Sequence, residues 1–496
     1  MSLSNSINLK SKKALAWSSI TEIAAKLVTP IVNIVLARLL TPEAFGAVAT
    51  ITMVITFAEI FTDAGFQKYI VQHEFDSDEE LDKSTNVAFW TNFTVSALLT
   101  TLIVIFRHSI ADLVGSSGLG NAIAVASLAI IMVAFSSIQM ARFKRDLDFK
   151  SLFFVRIGAS VIPLVVTVPL AFILRNFWAL VIGTLCVNIF NAVLLTVKSR
   201  WKPRLYYSFY RFKQMFSFTA WTLFESLLTW MSANIDIFIV GSVLSDYYLG
   251  LYKTSMTTVN SYMSIISAAI VPVLFSTLSR YQNDDKLFKE TYWKFFKFSS
   301  LLILPMSMGA FVFNDFITVV LLGSQWMEAT DFIGLWGLMN GVPILFSFYA
   351  SEVYRSKGNP KLSMISQMIS LVFLIPIVII FVNYDFAVLY TARSLHRIVG
   401  IVTSILFLCL IYKFKFSDMI KNIIPATVAS LIMGVVGVAL SAINPAIWWQ
   451  LISIFMCIAV YFASLLLIFP KLRKELLSIS YVGKVLRKFK LKSSSD

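Results

Sequence analysis

Apolar residues run along the chain in about fourteen blocks of near twenty residues, and charged residues collect in the short connections between them. About 20 predominantly apolar residues span the ~30 Å hydrocarbon core of a bilayer. In hydrocarbon every backbone N–H and C=O has to be paired inside its own segment, so the blocks are predicted to be helices. The expected spans are 14–37, 44–61, 84–106, 119–140, 153–174, 177–197, 214–236, 246–272, 293–314, 330–352, 361–383, 386–412, 419–442 and 447–470. The predicted fold class is therefore an all-α polytopic membrane protein.

The cations are divided unevenly over the connections. The odd-numbered connections carry Arg38, Arg107 and Arg175 and little else. The even-numbered ones carry Arg142, Lys144, Arg145 and Lys150, then Lys198, Arg200, Lys202, Arg204, Arg211 and Lys213, and further groups down to Lys413, Lys415 and Lys421. The positive-inside rule then places both termini in the cytoplasm, in agreement with an even number of spans. The basic tail at 471–496 is expected either to lie on the anionic cytoplasmic leaflet or to dock a partner. No cleavable signal peptide is expected, because the first apolar stretch is too long and lacks a small-residue cleavage site.

Composition closes off other classes. The 496 residues are 58% hydrophobic and only 14% charged, whereas soluble domains carry roughly 25% charged residues. The net charge of +15 is accounted for by the loop cations, so it sets topology and implies no nucleic-acid partner. Cys186, Cys409 and Cys457 all fall in apolar segments without metal spacing and are expected to be free, packed thiols. His73, His108 and His396 are too scattered for a metal site. No G-x-x-x-x-G-K-[ST] loop is present. An enzyme is not expected, nor a cofactor, apart from a coupling ion such as H+ or Na+.

Two segments read alike: Leu39-Leu40-Thr41-Pro42-Glu43-Ala44-Phe45-Gly46 and Val243-Leu244-Ser245-Asp246-Tyr247-Tyr248-Leu249-Gly250. Each follows a span with the same polar spacing: Glu22, Lys26, Thr29 and Asn33 in one, and Glu225, Thr229, Ser232 and Asp236 in the other. At 3.6 residues per turn each set shares one helical face, about 16 Å long. Both spans enter from the same side, which implies halves related by an axis along the membrane normal. Internal symmetry of this kind is a transporter signature.

The same region carries a family resemblance. Ala37-Arg38-Leu39-Leu40-Thr41-Pro42-Glu43-Ala44-Phe45-Gly46 is similar to a signature of the Wzx-type polysaccharide-exporter branch of the MOP superfamily. Phe61-Thr62-Asp63-Ala64-Gly65-Phe66, Arg145-Asp146-Leu147-Asp148-Phe149-Lys150, Phe177-Trp178-Ala179-Leu180, Asn234-Ile235-Asp236 with Leu249-Gly250-Leu251-Tyr252, and Leu322-Gly323-Ser324-Gln325-Trp326 resemble further motifs of that branch, in order. The match runs over roughly residues 10–360, and the sub-branch it most resembles exports colanic or teichuronic acid. The resemblance implies a V-shaped bundle of two six-helix lobes, 1–213 and 214–412, an extra helix pair at 413–470, and a cytoplasmic tail. It also implies alternating access through a cavity lined by spans 1, 2, 7 and 8. The implied substrate is an oligosaccharide repeat unit on polyprenyl pyrophosphate, flipped across the bacterial cytoplasmic membrane. A polymerase and glycosyltransferases are implied partners, alongside membrane lipids.

Charges inside spans are functional candidates by default, since each costs at least ~2.5–3.5 kcal/mol on insertion scales. A pyrophosphate substrate calls for cavity cations. Lys26 either faces the cavity or is neutralised by Glu22 one turn away. Lys253 either binds head-group phosphate or pairs with Asp236. Arg393 and Arg397, with His396 between them, repel each other at i,i+4; they bind an anion, pair with a carboxylate such as Asp385, or snorkel. Glu22, Glu59, Asp63, Glu225 and Asp236 are candidates for ion coupling, Glu59 and Asp63 having interfacial solvation as the plain alternative and Asp236 an exposed end cap. Trp17, Trp221 and Trp230 lie near the polar faces, and Pro30 is the preferred hinge among the in-span prolines. Two other functions stay open: a MATE-type drug or cation exporter, which favours acidic cavities, and a non-transporting scaffold for glycosyltransferases, which has no need of intramembrane charge.

Overall fold

The computed structural model describes Trp17, residues 28–63 and 65–470, and Leu472. Helices joined by short turns make up the described residues, with no strand among them. Thirteen helical segments there are long and apolar enough to cross a bilayer, from Pro42–Thr62 to Ile447–Ile468. The described end of the first expected span is α1 (Val28–Leu39). Glu22, Lys26 and the basic tail beyond Leu472 lie outside the described residues.

In chain order the helices continue as α2 (Pro42–Asp63), α3 (Phe66–Gln72), α4 (Asp78–Ile105), α5 (Arg107–Leu113), α6 (Gly120–Arg145), α7 (Phe149–Ile162), α8 (Val168–Leu174), α9 (Trp178–Lys198), α10 (Phe209–Val243) and α11 (Asp246–Arg280). Then follow α12 (Asp285–Val312), α13 (Asn314–Leu321), α14 (Thr330–Pro343), α15 (Tyr349–Ser356), α16 (Lys361–Phe381), α17 (Phe386–Leu395), α18 (Arg397–Leu410), α19 (Phe416–Ser441) and α20 (Ile447–Ile468). Wider π turns at Pro163–Thr167 and Ile344–Phe348 join α7 to α8 and α14 to α15, the first beginning at Pro163 and the second following Pro343. Proline removes the N–H that would close the regular ladder, so the turn widens there. With 35 residues each, α10 and α11 are about 52 Å long, so both reach well past the hydrocarbon.

Short polar signals set the helix starts. Ser77 accepts from the Glu80 N–H, and the Glu80 carboxylate accepts from the Asp76 N–H at 2.9 Å, opening α4. Asp284 accepts from the Lys286 and Leu287 N–H groups to open α12. Pro42 is the first residue of α2, where a missing N–H costs nothing. In the segment Arg145–Lys150, Arg145 Nη1 donates to the carbonyls of Ile70 (2.8 Å) and His73 (2.6 Å), closing the end of α3. Asp148 Oδ1 accepts from the Ser151 N–H at 3.1 Å and starts α7.

The chain divides into two compact units. The first takes the chain up to Ala269 with Leu321–Phe332 and Ser363–Val399; the second takes Ile270–Val320, Ile333–Leu362 and the chain from Gly400. In the first, Ile51, Ile55 and Ala58 of α2 pack with Ala122, Ile123 and Ala126 of α6 and Val181 of α9. Hydrocarbon provides no hydrophobic drive between helices, so close approach through small residues does the packing. In the second, α19 lies on α12 and α20. A methyl on Gly434 would fall 2.8 Å from Met308 Sδ, and one on Gly437 would fall 2.9 Å from Val312 Cγ1. All three cysteines are free; Cys457 is buried, its Sγ 3.8 Å from the Met433 carbonyl.

The connection from α9 to α10 is a strap bolted to the start of α4. Trp90 Nε1 donates to the Arg204 carbonyl (2.8 Å), the Arg204 N–H donates to Asn86 Oδ1 (2.7 Å), and Arg211 pairs with Glu80 at 3.1 Å.

Candidate functional site

Within the first unit, the polar residues of α2, α10, α11 and α17 form contacts at three levels. At the cation-rich end, α3 brings Lys68 Nζ to 3.0 Å from Glu225 Oε2 of α10, with both side chains half-exposed. Nearby, α10 approaches the turn before α3 so closely that a methyl on Gly65 would fall 1.7 Å from Thr222 Oγ1. The Gly65 φ of +84° independently favours glycine.

At the middle level, Trp230 of α10 donates from Nε1 to Thr56 Oγ1 (3.1 Å) and packs on Phe57 with ring centroids 4.8 Å apart. Glu59 lies one turn further along α2, half-buried, with no ion pair or side-chain hydrogen bond among the described residues. Asp63 ends α2, and its side chain is outside what the structure describes. Trp221 is exposed, and Trp17 packs on Phe153 at 5.0 Å.

The third level is a buried charge cluster. Arg393, in the last turn of α17, donates from Nε to Asp236 Oδ2 of α10 at 2.8 Å, and the Tyr252 hydroxyl of α11 donates to the same oxygen at 3.1 Å. Asp236 and Tyr252 are fully buried and Arg393 is 7% exposed. Asp236 is thus an interior acceptor and not an exposed end cap. Asp385 does not serve Arg393; its carboxylate accepts from the Phe386 N–H at 2.8 Å and caps α17. Lys253 follows Tyr252 and is half-buried. It makes no hydrogen bond or ion pair among the described residues, although the Asp236 charge acts on it. Arg397, half-buried at the start of α18, also feels Asp236 and is opposed by Arg393. Between the two arginines, His396 donates from Nε2 to the Ser370 carbonyl at 2.8 Å. Among the described residues the cluster brings Lys253, Arg393 and Arg397 within the field of the Asp236 carboxylate, a gathering of positive charge suited to an anion.

Beyond this cluster, at the cation-poor end, the two repeat segments cross. A methyl on Gly46 would fall 1.8 Å from the Asp246 carbonyl oxygen, and one on Gly250 would fall 1.9 Å from the Pro42 carbonyl oxygen. Gly46 and Gly250 hold the same place in their repeats, as do Pro42 and Asp246, so the contact is reciprocal in the manner of a two-fold interface. A second pair repeats the relation more loosely: a methyl on Gly115 (φ +79°) would meet the Gly241 carbonyl at 2.2 Å, and one on Gly323 (φ +104°) would meet Arg38 Cγ at 3.6 Å. Side chains link the rim. Ser116 Oγ donates to Asp246 Oδ1 (2.8 Å), and the Tyr247 hydroxyl donates to Glu328 Oε2 (2.8 Å). Gln325 Nε2 donates to the Leu40 carbonyl (2.7 Å) and Trp326 Nε1 to the Ala37 carbonyl (2.8 Å), satisfying orphan carbonyls at the end of α1.

Sequence reasoning singled out Asp236, Lys253, Arg393 and Arg397, and the structure gathers them in one cluster. Glu225 is held apart, with Lys68, a residue that carried no sequence signal. Tyr252, Gln325 and Trp326 were visible only as letters of motifs, and their hydrogen bonds now give those motifs a physical reason.

Residues 35–331 match the model of the family described as "Polysaccharide biosynthesis protein". The chain is 21% identical to the teichuronic acid biosynthesis protein TuaB of Bacillus subtilis over 432 residues, 86% of this chain and 88% of that one. It is 20% identical to the lipopolysaccharide biosynthesis protein WzxC of Escherichia coli over 361 residues, 72% of this chain and 69% of that one. Among solved structures, the lipid II flippase MurJ in an inward closed conformation superposes with a TM-score of 0.75 at 17% identity, over 92% of this chain and 99% of that one. At that identity the likeness is one of fold.

Proposed function

Because the chain belongs to the polysaccharide biosynthesis protein family, whose model spans residues 35–331, we propose that it is a transporter that flips a polyprenyl-pyrophosphate-linked oligosaccharide across the bacterial cytoplasmic membrane. The gathering of Lys253, Arg393 and Arg397 around Asp236 carries this reading. A pyrophosphate crossing the apolar layer needs cations there, whereas a cation exporter needs the opposite sign. The names of the relatives, which include a flippase of lipid II and biosynthesis proteins for teichuronic acid and lipopolysaccharide, support the substrate class.

The cation-rich connections face the cytoplasm with both termini, by the positive-inside rule. Lys253 is the cation that first meets the head group, since Arg393 is already engaged by Asp236. Lys26, outside the described residues, remains a sequence-based candidate for the same role. Glu59, a half-buried carboxylate without an ion-pair partner among the described residues, is the favoured site for coupling to H+ or Na+. Polymerase and glycosyltransferases act on either side of the step.

The test follows lipid-linked oligosaccharide with a membrane-impermeant glycan probe in cells depleted of this chain. Head groups retained on the cytoplasmic side, released by the wild type but not by Lys253→Ala, are the expected result. Normal outer-leaflet appearance without the protein would refute translocation. Normal export by both Lys253→Ala and Lys26→Ala would sink the site assignment alone.

A further inference from the structure

Resting on the translocation reading, we propose that His396 is a proton-binding site tied to the anion. Its ring is neutral while the cluster is empty. It takes up a proton from water when the pyrophosphate of a head group settles among Lys253, Arg393 and Arg397.

The neutral form can be read from the hydrogen bonds. A carbonyl oxygen accepts and never donates, so the Ser370 carbonyl, 2.8 Å from Nε2, fixes the ring proton on that nitrogen. Nδ1 is the atom left for a second proton. It is buried without a hydrogen-bond partner among the described residues, in a side chain 5% exposed. The turn between α17 and α18 does not need it, since the His396 backbone N–H closes that turn on the Ala392 carbonyl at 2.9 Å. The ring is thus held by Nε2, and Nδ1 has no structural task.

Charge decides whether that nitrogen is filled. Arg393 lies one helical turn before His396 and Arg397 follows it; both act on the ring, with Asp236 of α10 opposing them. From the other packed elements, α11 brings Tyr252, bonded to Asp236, and Lys253, while α16 brings the uncharged Ser370. A second ring proton in the empty cluster would face like charge on both sides, away from water. A pyrophosphate diester carries two negative charges and reverses that field. Histidine is the side chain that such a reversal moves between its two forms near neutral pH. By linkage, an anion that draws in a proton is held more tightly as protons become available. Glu59 stands apart from this step, because a carboxylate is not called on to gain a proton by an anion it does not meet.

The probe is a water-soluble short-chain prenyl pyrophosphoryl sugar, a diester whose charge stays fixed across the range used. Its binding to the purified full chain in detergent is followed by calorimetry from about pH 6 to about pH 8. In buffers of different ionisation enthalpy, the wild type is expected to take up about one proton per probe bound, with affinity rising up to about tenfold per unit of falling pH. His396→Gln keeps a donor for the Ser370 carbonyl but cannot take the proton. It is expected to match the wild type at the alkaline end and to show no rise toward the acid end. Wild-type binding without pH dependence or proton uptake would overturn the proposal. So would a slope retained in His396→Gln, which would move the proton to a carboxylate.

A second measurement leaves the site unaltered. The histidines are His73, His108 and His396, so ring-labelled His73→Gln/His108→Gln protein reports His396 alone by NMR. The probe is expected to shift that signal from the neutral to the imidazolium position, and a signal that stays neutral with probe bound would contradict the assignment. No binding of the probe at any pH would strike the anion reading of the cluster itself, and the proton site with it.

Discussion

Neutralising Asp236 tests whether the cluster is held together by charge. Asp236→Asn keeps the shape of the side chain and an oxygen for Tyr252, but leaves Arg393 facing an uncharged amide. Arg393 is 7% exposed and its Nε sits 2.8 Å from Asp236 Oδ2, so solvent does little to compensate the lost charge pairing. Removing one partner of a buried pair costs about 3–5 kcal/mol. Arg393→Gln should cost a similar amount by leaving the carboxylate behind. The double variant Asp236→Asn/Arg393→Gln removes both charges of the pair together and can keep an amide hydrogen bond, so it should fall within about 1–2 kcal/mol of the parent. The interaction energy of the cycle is then several kcal/mol. Survival of monodisperse protein after heating in detergent reads the stability of all four forms. The same cells read function: export by the double variant would mean that Arg393 holds α17 to α10 and that phosphate is met by Lys253 and Arg397. A double variant whose loss equals the sum of the single losses would refute the pairing.

Two further outcomes follow from the geometry. Lys68→Ala should change stability by less than about 1 kcal/mol, because its bridge to Glu225 is half-exposed on both sides and screened; the same heating assay checks it. Trp326→Phe keeps the aromatic contact with Phe45, now 5.3 Å between centroids, but loses the bond to the Ala37 carbonyl; a loss of about 1–2 kcal/mol is expected in that assay.

The spans were legible because hydrocarbon allows one backbone solution, and a run such as Ile447–Ile468 has no alternative fold. Orientation signals were legible for a related reason, since loop cations are read one connection at a time. Pairing was not. Asp236 and Arg393 are 157 residues apart, and nothing local distinguishes Asp236 from Asp385 as a partner. Asp385 was near in the chain, but its carboxylate is spent on the first N–H of α17, that of Phe386. Glu225 lies midway along the expected span 214–236, yet α10 starts at Phe209 and Lys68 arrives from a short helix that hydropathy does not reveal. The repeat was faint as letters because the half that matters is two glycines, whose importance lies in the atoms they lack.

The reciprocal crossing also bears on how such a chain could arise. In a dimer of identical half-length subunits, one glycine would have sat at both places, and any substitution there would have struck the interface twice. Fusion ends that double exposure. Once the halves share one chain, each side of the axis can drift alone, and here it has done so. One half offers Pro42, a residue suited to starting a helix; the other offers Asp246, whose carboxylate takes a hydrogen bond from Ser116. The carbonyls that touch the glycines remain equivalent while the side chains above them have parted company. In a single chain that carries both copies such asymmetry is inherited as a unit, and each half is free to change without the other.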